Sequence, residues 1–176
     1  MSAPPSFDRL VLPHLDAAYN LARWLLRSEQ AAEDAVQEAS MRAFRSLANL
    51  RGDDARPWLL GIVRNTCFTM LERRRDAPPH VEFDEAGPEA VLADEEGGPS
   101  DPVGQLQRQR ARVQVDAAIR ALPPALREVI VLREFEDLEY AQIARIAGVP
   151  IGTVMSRLSR ARDKLRTILS ATDLGR

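Results

Sequence analysis

The chain has 176 residues, 28% charged and 45% hydrophobic, with a net charge of −2, an ordinary globular composition with room for one domain or two small ones. No apolar run approaches the ~20 residues that cross a bilayer, and residues 1–8 lack the basic-then-apolar pattern of a secretion signal. The one cysteine, Cys67, has no internal partner; it fits a reducing compartment, so a cytoplasmic location is expected.

The average charge hides an uneven distribution. Residues 1–75 carry 11 Arg and 9 acids, net +2; residues 76–105 carry 9 acids and no Arg or Lys; residues 106–176 carry 13 basic residues and 8 acids, net +5. Two basic stretches therefore flank an acidic one, a more informative pattern than the total. Every basic residue but Lys164 is Arg. Arg suits forked contacts to phosphate and guanine, although a GC-rich genome gives the same bias.

The periodicity is helical almost throughout, and no alternating strand pattern of useful length occurs, so the expected fold is all-α. Pro13 separates a short leading turn from a helix whose apolar face is Leu15, Ala18, Tyr19, Ala22, Leu25 and Leu26. Ser28 is placed to cap a second helix that turns Ala32, Ala35, Val36, Ala39, Ala43 and Leu47 inward. Asn49 to Gly52 break the period. Asp53 is a candidate cap for a third helix, which tolerates Pro57 near its start and runs through Trp58, Leu59, Ile62, Val63, Met70 and Leu71 to Arg73, Arg74 and Arg75. Residues 76–105 hold five prolines, four glycines and the nine acids, and read as a flexible linker between two small helical domains, 1–75 and 106–176.

Helical periodicity resumes at Leu106 and is stopped at Pro123 and Pro124; a further helix spans Leu126 to Phe135. Two closely spaced helices follow, Tyr140 to Ala147 and about Gly152 to Ser170, joined through Gly148, Val149, Pro150 and Ile151. This is a helix-turn-helix pattern, with glycine where a left-handed cap belongs and small Ala144 facing the turn. In the last helix Val154, Leu158, Ala161, Leu165 and Ile168 make one inward stripe. Thr153, Ser156, Arg157, Arg160 and Lys164 make the opposite one, with hydroxyls and guanidiniums suited to base edges and phosphates in a major groove. The simpler alternative is a solvated face that the arginines keep soluble.

These residues carry a resemblance. Leu122 to Val129, Tyr140 to Ala144 and Gly152 to Arg162 resemble the C-terminal domain of extracytoplasmic-function sigma factors, the small promoter-recognition subunits of bacterial RNA polymerase. Ala32 to Ala39 resembles the family's polymerase-binding helix, and Pro57 to Asn65 with Arg73 to Arg75 resembles its promoter-melting segment. The resemblance implies three surfaces. Asp34, Gln37, Glu38, Met41 and Arg45, at i, i+3, i+4 spacing, would bind core RNA polymerase. Asn49, Leu50, Arg51, Arg56, Arg64 and Asn65 would capture the proximal promoter element, where melted bases must be unstacked at a cost of a few kcal/mol. Thr153, Ser156, Arg157, Arg160 and Lys164 would read the distal element, Arg157 and Arg160 foremost. Trp58 reads better as core than as a base-stacking platform. Core polymerase, promoter DNA and an anti-sigma factor are the implied partners, the last a means of holding the chain at the membrane.

No enzyme is expected. His14, His80 and Cys67 have no metal-ligand spacing, no nucleophile–base pair stands out, and no cofactor or small-molecule substrate is implied. Cys67 lies on an apolar stretch and reads as a buried thiol. The acidic linker has three open readings: a nucleic-acid mimic, a mask for the arginine faces, or a solubilising tether. Rivals to the whole assignment are a stand-alone helix-turn-helix regulator and a sigma mimic that titrates an anti-sigma factor.

Overall fold

The computed structural model describes residues 6–50, 54–76 and 102–174. Arg51 and Asp53, and most of the acidic linker, lie outside them. Helices account for almost all of the described residues: α1 Phe7–Val11, α2 Leu15–Leu26, α3 Glu29–Arg45, α4 Ala55–Asp76, α5 Pro102–Arg120, α6 Pro124–Ile130, α7 Tyr140–Ala147 and α8 Ile151–Leu174. Among the described residues there is no strand.

Helices α2, α3 and α4 form the N-terminal bundle. The 3-10 turn Leu12–His14 falls at Pro13, where a break is expected; α3 ends at Arg45, and a second 3-10 turn, Leu47–Asn49, takes Leu47 out of the helix it was expected to extend, ahead of the break expected at Asn49 to Gly52. Ser28 caps α3 as its sequence position predicts: its Oγ accepts from the Ala31 amide at 3.3 Å and satisfies one of the four amides a helix start leaves open. Ala32, Ala35, Ala39 and Ala43 are buried along α3, and small side chains let α2 and α4 approach closely. Leu21, Leu25, Leu59, Leu60 and Val63 fill the space between. Trp58 is half-buried against this core, as expected.

In the C-terminal bundle α5 starts at Pro102, inside the stretch read as linker. Proline is well placed there, because the first turn of a helix has no partner for its amide. The stretch read as one helix from Leu126 to Phe135 is α6 followed by a π turn, Val131–Phe135. The wider turn closes with Glu136 N donating to Val131 O at 3.2 Å and Leu138 N to Leu132 O at 3.0 Å, and Asp137 then takes a left-handed φ of 48°. The chain reverses direction there and delivers α7. Gly148 ends α7 at φ 66°, ψ 35°, the conformation in which a side chain is strained and glycine is not. Val154, Leu158 and Ala161 of α8 are buried and Leu165 packs beside them, so the helix-turn-helix follows its sequence pattern.

The two bundles pack on each other. Helix α4 lies along α7 and α2 along α6, and one continuous apolar core runs from Val11 to Ala161.

Candidate nucleic-acid interface

Burial of the Val154–Leu158–Ala161 stripe turns the other side of α8 outward. Ser156, Arg160 and Lys164 are exposed there and Thr153 is half-buried. Arg160 folds back on the turn before it, with Nε to the Ser156 carbonyl and Nη2 to Ser156 Oγ, each at 3.4 Å. Contacts of that length are weak, so the guanidinium is available to an incoming phosphate or base edge. Arg157, three residues earlier on the helix, is different. It is half-buried, and its Nη1 donates to Glu128 Oε1 at 3.2 Å.

Glu128 is the surprise of this region. It lies on α6 with no exposed surface, and Arg64 of α4 grips the same carboxylate with Nε at 2.7 Å and Nη2 at 3.2 Å. Burial pushes its carboxyl above the ordinary glutamate range, against the opposing pull of Arg64 and Arg157. Arg64, expected at the proximal element, and Arg157, expected at the distal one, thus meet on one side chain. Arg64 also stacks over Phe68, 3.9 Å from its ring centroid, and reaches Asn65 Oδ1 at 3.3 Å.

A second carboxylate repeats the arrangement. Glu136, 7% exposed, accepts from Arg56 Nη2 and from Asn20 Nδ2, each at 2.7 Å. Beside it Gln142 of α7 donates to Asp54 at 3.2 Å, and Arg56 lines an open cleft with Asp54, Asp137, Glu139 and Arg145. Of the remaining proximal candidates Asn65 and Asn49 are exposed and Leu50 is half-buried.

Arg127 completes the contact between the bundles. Its guanidinium donates to the carbonyls of Trp24 and Leu25 in the last turn of α2 at 3.0 and 3.3 Å. It also donates to Ile119, Arg120 and Leu122 at the end of α5, at 3.3, 2.8 and 2.6 Å. One cation so satisfies the open carbonyls of two helix ends and sits where both helix dipoles are negative. Burial lowers its pKa to about 10, helped by Arg27 and Arg120, which leaves it charged at neutral pH. Arg127, Glu128 and Glu136 had no role assigned from sequence. Their signal was three charged residues within an apolar helical stretch, where charges stay only if paired.

The outer face of α3 lies on the far side of α3 from its alanine row. Asp34, Gln37, Met41 and Arg45 are exposed and Glu38 half-exposed, Glu38 pairing with Arg42. Met41 is 50% and Phe44 66% exposed, and Phe44 stands edge-on to Phe7 with ring centroids 5.3 Å apart. Phe44 extends the candidate face and was missed because its position falls outside the polar stripe. Cys67 is buried and its thiol is pushed up to about 12 by burial. Among the described residues no group of His, Cys, Asp and Glu is arranged to hold a metal ion, and no helix is long and apolar enough to cross a membrane.

Residues 10–77 match the family description "Sigma-70 region 2" and residues 112–165 match "Sigma-70, region 4". The chain is 34% identical over 177 residues to the ECF RNA polymerase sigma factor SigE of Mycolicibacterium smegmatis, covering 96% of this chain and spanning 63% of that protein's length. It is 36% identical to the RNA polymerase sigma-H factor of Pseudomonas aeruginosa, covering 91% of this chain and 84% of that one. It is 38% identical to the ECF RNA polymerase sigma-E factor of Escherichia coli, covering 75% and 70%. Among solved structures it is similar to the sigma factor RpoE in complex with the anti-sigma factor NepR from Bartonella quintana, at TM-score 0.67 and 28% identity over 93% of this chain and 96% of that one. It is also similar to CnrH in complex with the cytosolic domain of CnrY, at TM-score 0.63 and 25% identity over 94% and 88%. With both sigma-70 regions matched in order, and with relatives of this identity covered over most of their length, the chain belongs to the extracytoplasmic-function group of RNA polymerase sigma factors.

Proposed function

We propose that the chain is an alternative sigma factor that joins core RNA polymerase and directs initiation at a specific set of promoters, and that its surfaces divide as follows. Asp34, Gln37, Glu38, Met41 and Arg45, with Phe44 beside them, dock on the polymerase; acidic and polar groups ringing an apolar centre suit a basic partner helix. Arg56, Arg64 and Asn65, with Asn49, Leu50 and Arg51, hold the proximal element, the arginines on phosphates and the polar groups on unstacked bases. Thr153, Ser156, Arg160 and Lys164 face the distal element in the major groove. Arg157 belongs to the same helix, and its ion pair to Glu128 sets the angle at which that helix is presented.

The observation that carries the reading is the exposed Ser156–Arg160–Lys164 row standing opposite a buried apolar stripe on the second helix of a glycine-capped helix-turn-helix. The chemistry is binding: the chain lowers the cost of melting by holding the melted state, and bond formation belongs to the polymerase. The setting is the cytoplasm. Complexes of the Bartonella RpoE and CnrH relatives with NepR and CnrY support an anti-sigma partner for this chain also, one that would hold it at the membrane if itself anchored there.

In vitro transcription tests the reading. Purified chain, core polymerase and genomic fragments, including the region upstream of its own gene, are expected to give start-site-specific transcripts. Arg160→Ala with Lys164→Ala should abolish these with helical content unchanged. DNA binding without specific initiation would instead make the chain a stand-alone regulator. Polymerase-independent capture of an anti-sigma factor, with no DNA binding, would make it a mimic.

A further inference from the structure

The second helix of the helix-turn-helix carries two side chains that neither its core stripe nor its polar row explains. Ile151 is 47% exposed and Met155 53%. They stand one turn apart, so they share one flank of the first turns of α8. Each helical residue turns the chain by about 100°, which puts Met155 and Arg157 on opposite flanks of Ser156. The Arg157 flank leans on Glu128 at 3.2 Å. On the other flank Ser159, a turn beyond Met155, is exposed and polar, so the apolar patch ends there. Gly152, between the two, has open space where a Cβ would go, which lets the helix backbone come close to whatever meets this end of it.

Exposed apolar side chains are common when scattered. Here they are paired, and they sit at the N-terminal end of the second helix, the end that a helix-turn-helix points at base edges. In a major groove the partner for such a patch is specific. The base pairs display acceptors and amino donors there and one alkyl group, the 5-methyl of thymine. We infer that Ile151 and Met155 select thymine in the distal element by covering its 5-methyl group, while Ser156 and Arg160 bond to neighbouring polar edges. Four residues rise about 6 Å along the helix, close to two base steps of roughly 3.4 Å each, so the two side chains fit two thymines one or two steps apart. The contact takes apolar surface out of water on both partners and costs no hydrogen bond; cytosine, which has no methyl, leaves it unfilled. The inference rests on the proposed use of α8 at the distal element and adds which base its first turns select.

Thymine and uracil differ by that methyl alone, which makes the test direct. Duplexes with a randomised centre are offered to the full chain joined to core polymerase, and sequences that core polymerase alone retains are subtracted. The commonest retained sequence is resynthesised with uracil at each thymine in turn. At thymines of its upstream half, uracil should weaken binding about fourfold each, the worth of one buried methyl. Met155→Ala should abolish the loss at one of these thymines and Ile151→Ala at another, so that each variant binds the thymine and uracil forms of its own position equally. Both side chains are exposed, so helical circular dichroism should not change. Met155→Leu, which keeps an apolar side chain, should keep the loss. A retained sequence with no thymine in its upstream half, or uracil losses that both alanine variants preserve, overturns the inference and leaves the sigma reading standing. No sequence retained beyond those of core polymerase alone removes the sigma reading, and this inference with it.

Discussion

Arg127 shows how much a single side chain does here. Arg127→Ala leaves five carbonyls at two helix ends without their donor, and a loss of about 3–5 kcal/mol is expected, read by urea unfolding. Arg127→Lys should recover little, since one ammonium cannot reach both helix ends in the forked geometry. At Cys67 the raised pKa has two consequences. Alkylation by iodoacetamide at pH 8 should proceed only as fast as the chain opens or unfolds, because the thiolate is the nucleophile. The folded value of about 12 stands above the ordinary 9.0, so the folded state holds a proton that the unfolded state releases. Stability is therefore full below about pH 9 and falls as pH rises toward 12, by up to about 1.4 kcal/mol per pH unit. Cys67→Ala should flatten that slope in thermal melts above pH 9. Gly148 has open space where a Cβ would go, so Gly148→Ala should cost only the left-handed backbone strain, about 1–2 kcal/mol.

At the scale of elements, the sequence announces what is local. Ser28, Pro13, Gly148 and the Val154–Leu158–Ala161 stripe each act within a turn or two, and each appears where its spacing puts it. Ser28→Ala should cost about 1 kcal/mol of stability, and Leu158→Ala, which empties a fully buried site, about 2–5 kcal/mol. The second loss should be accompanied by loss of DNA binding, because Leu158 holds the recognition helix on its support. Two features escaped. Pro102 looks like a linker residue until it is seen as the first residue of a helix. The π turn at Val131–Phe135 has no glycine or proline to mark it, and its wider ring follows from where Glu136 and Leu138 find acceptors.

For the whole molecule, the missing information is of another kind. Glu128 meets Arg64 across 64 positions, Glu136 meets Arg56 across 80, and Arg127 meets Trp24 across 103. No local period encodes such pairs, so the arginines could be singled out as candidates from the sequence but their engagement with the other bundle could not. The continuous core predicts that both bundles unfold together: Arg127→Ala should lower a single thermal transition, and two separate transitions would show that the bundles unfold independently. Under the proposed arginine–phosphate contacts, DNA binding should weaken steeply with salt.

Trp24 gives this interface a voice of its own. Its indole is almost wholly covered, with Phe135 and Arg120 of the other bundle beside it and its Nε1 without a hydrogen-bond partner. Parting the bundles would wet that ring and hand the Nε1 a water molecule. In a Trp58→Phe background, which leaves Trp24 as the one tryptophan, the emission would then shift to the red whenever the bundles part. The residue that wedges the two halves together thereby becomes an optical gauge of their separation.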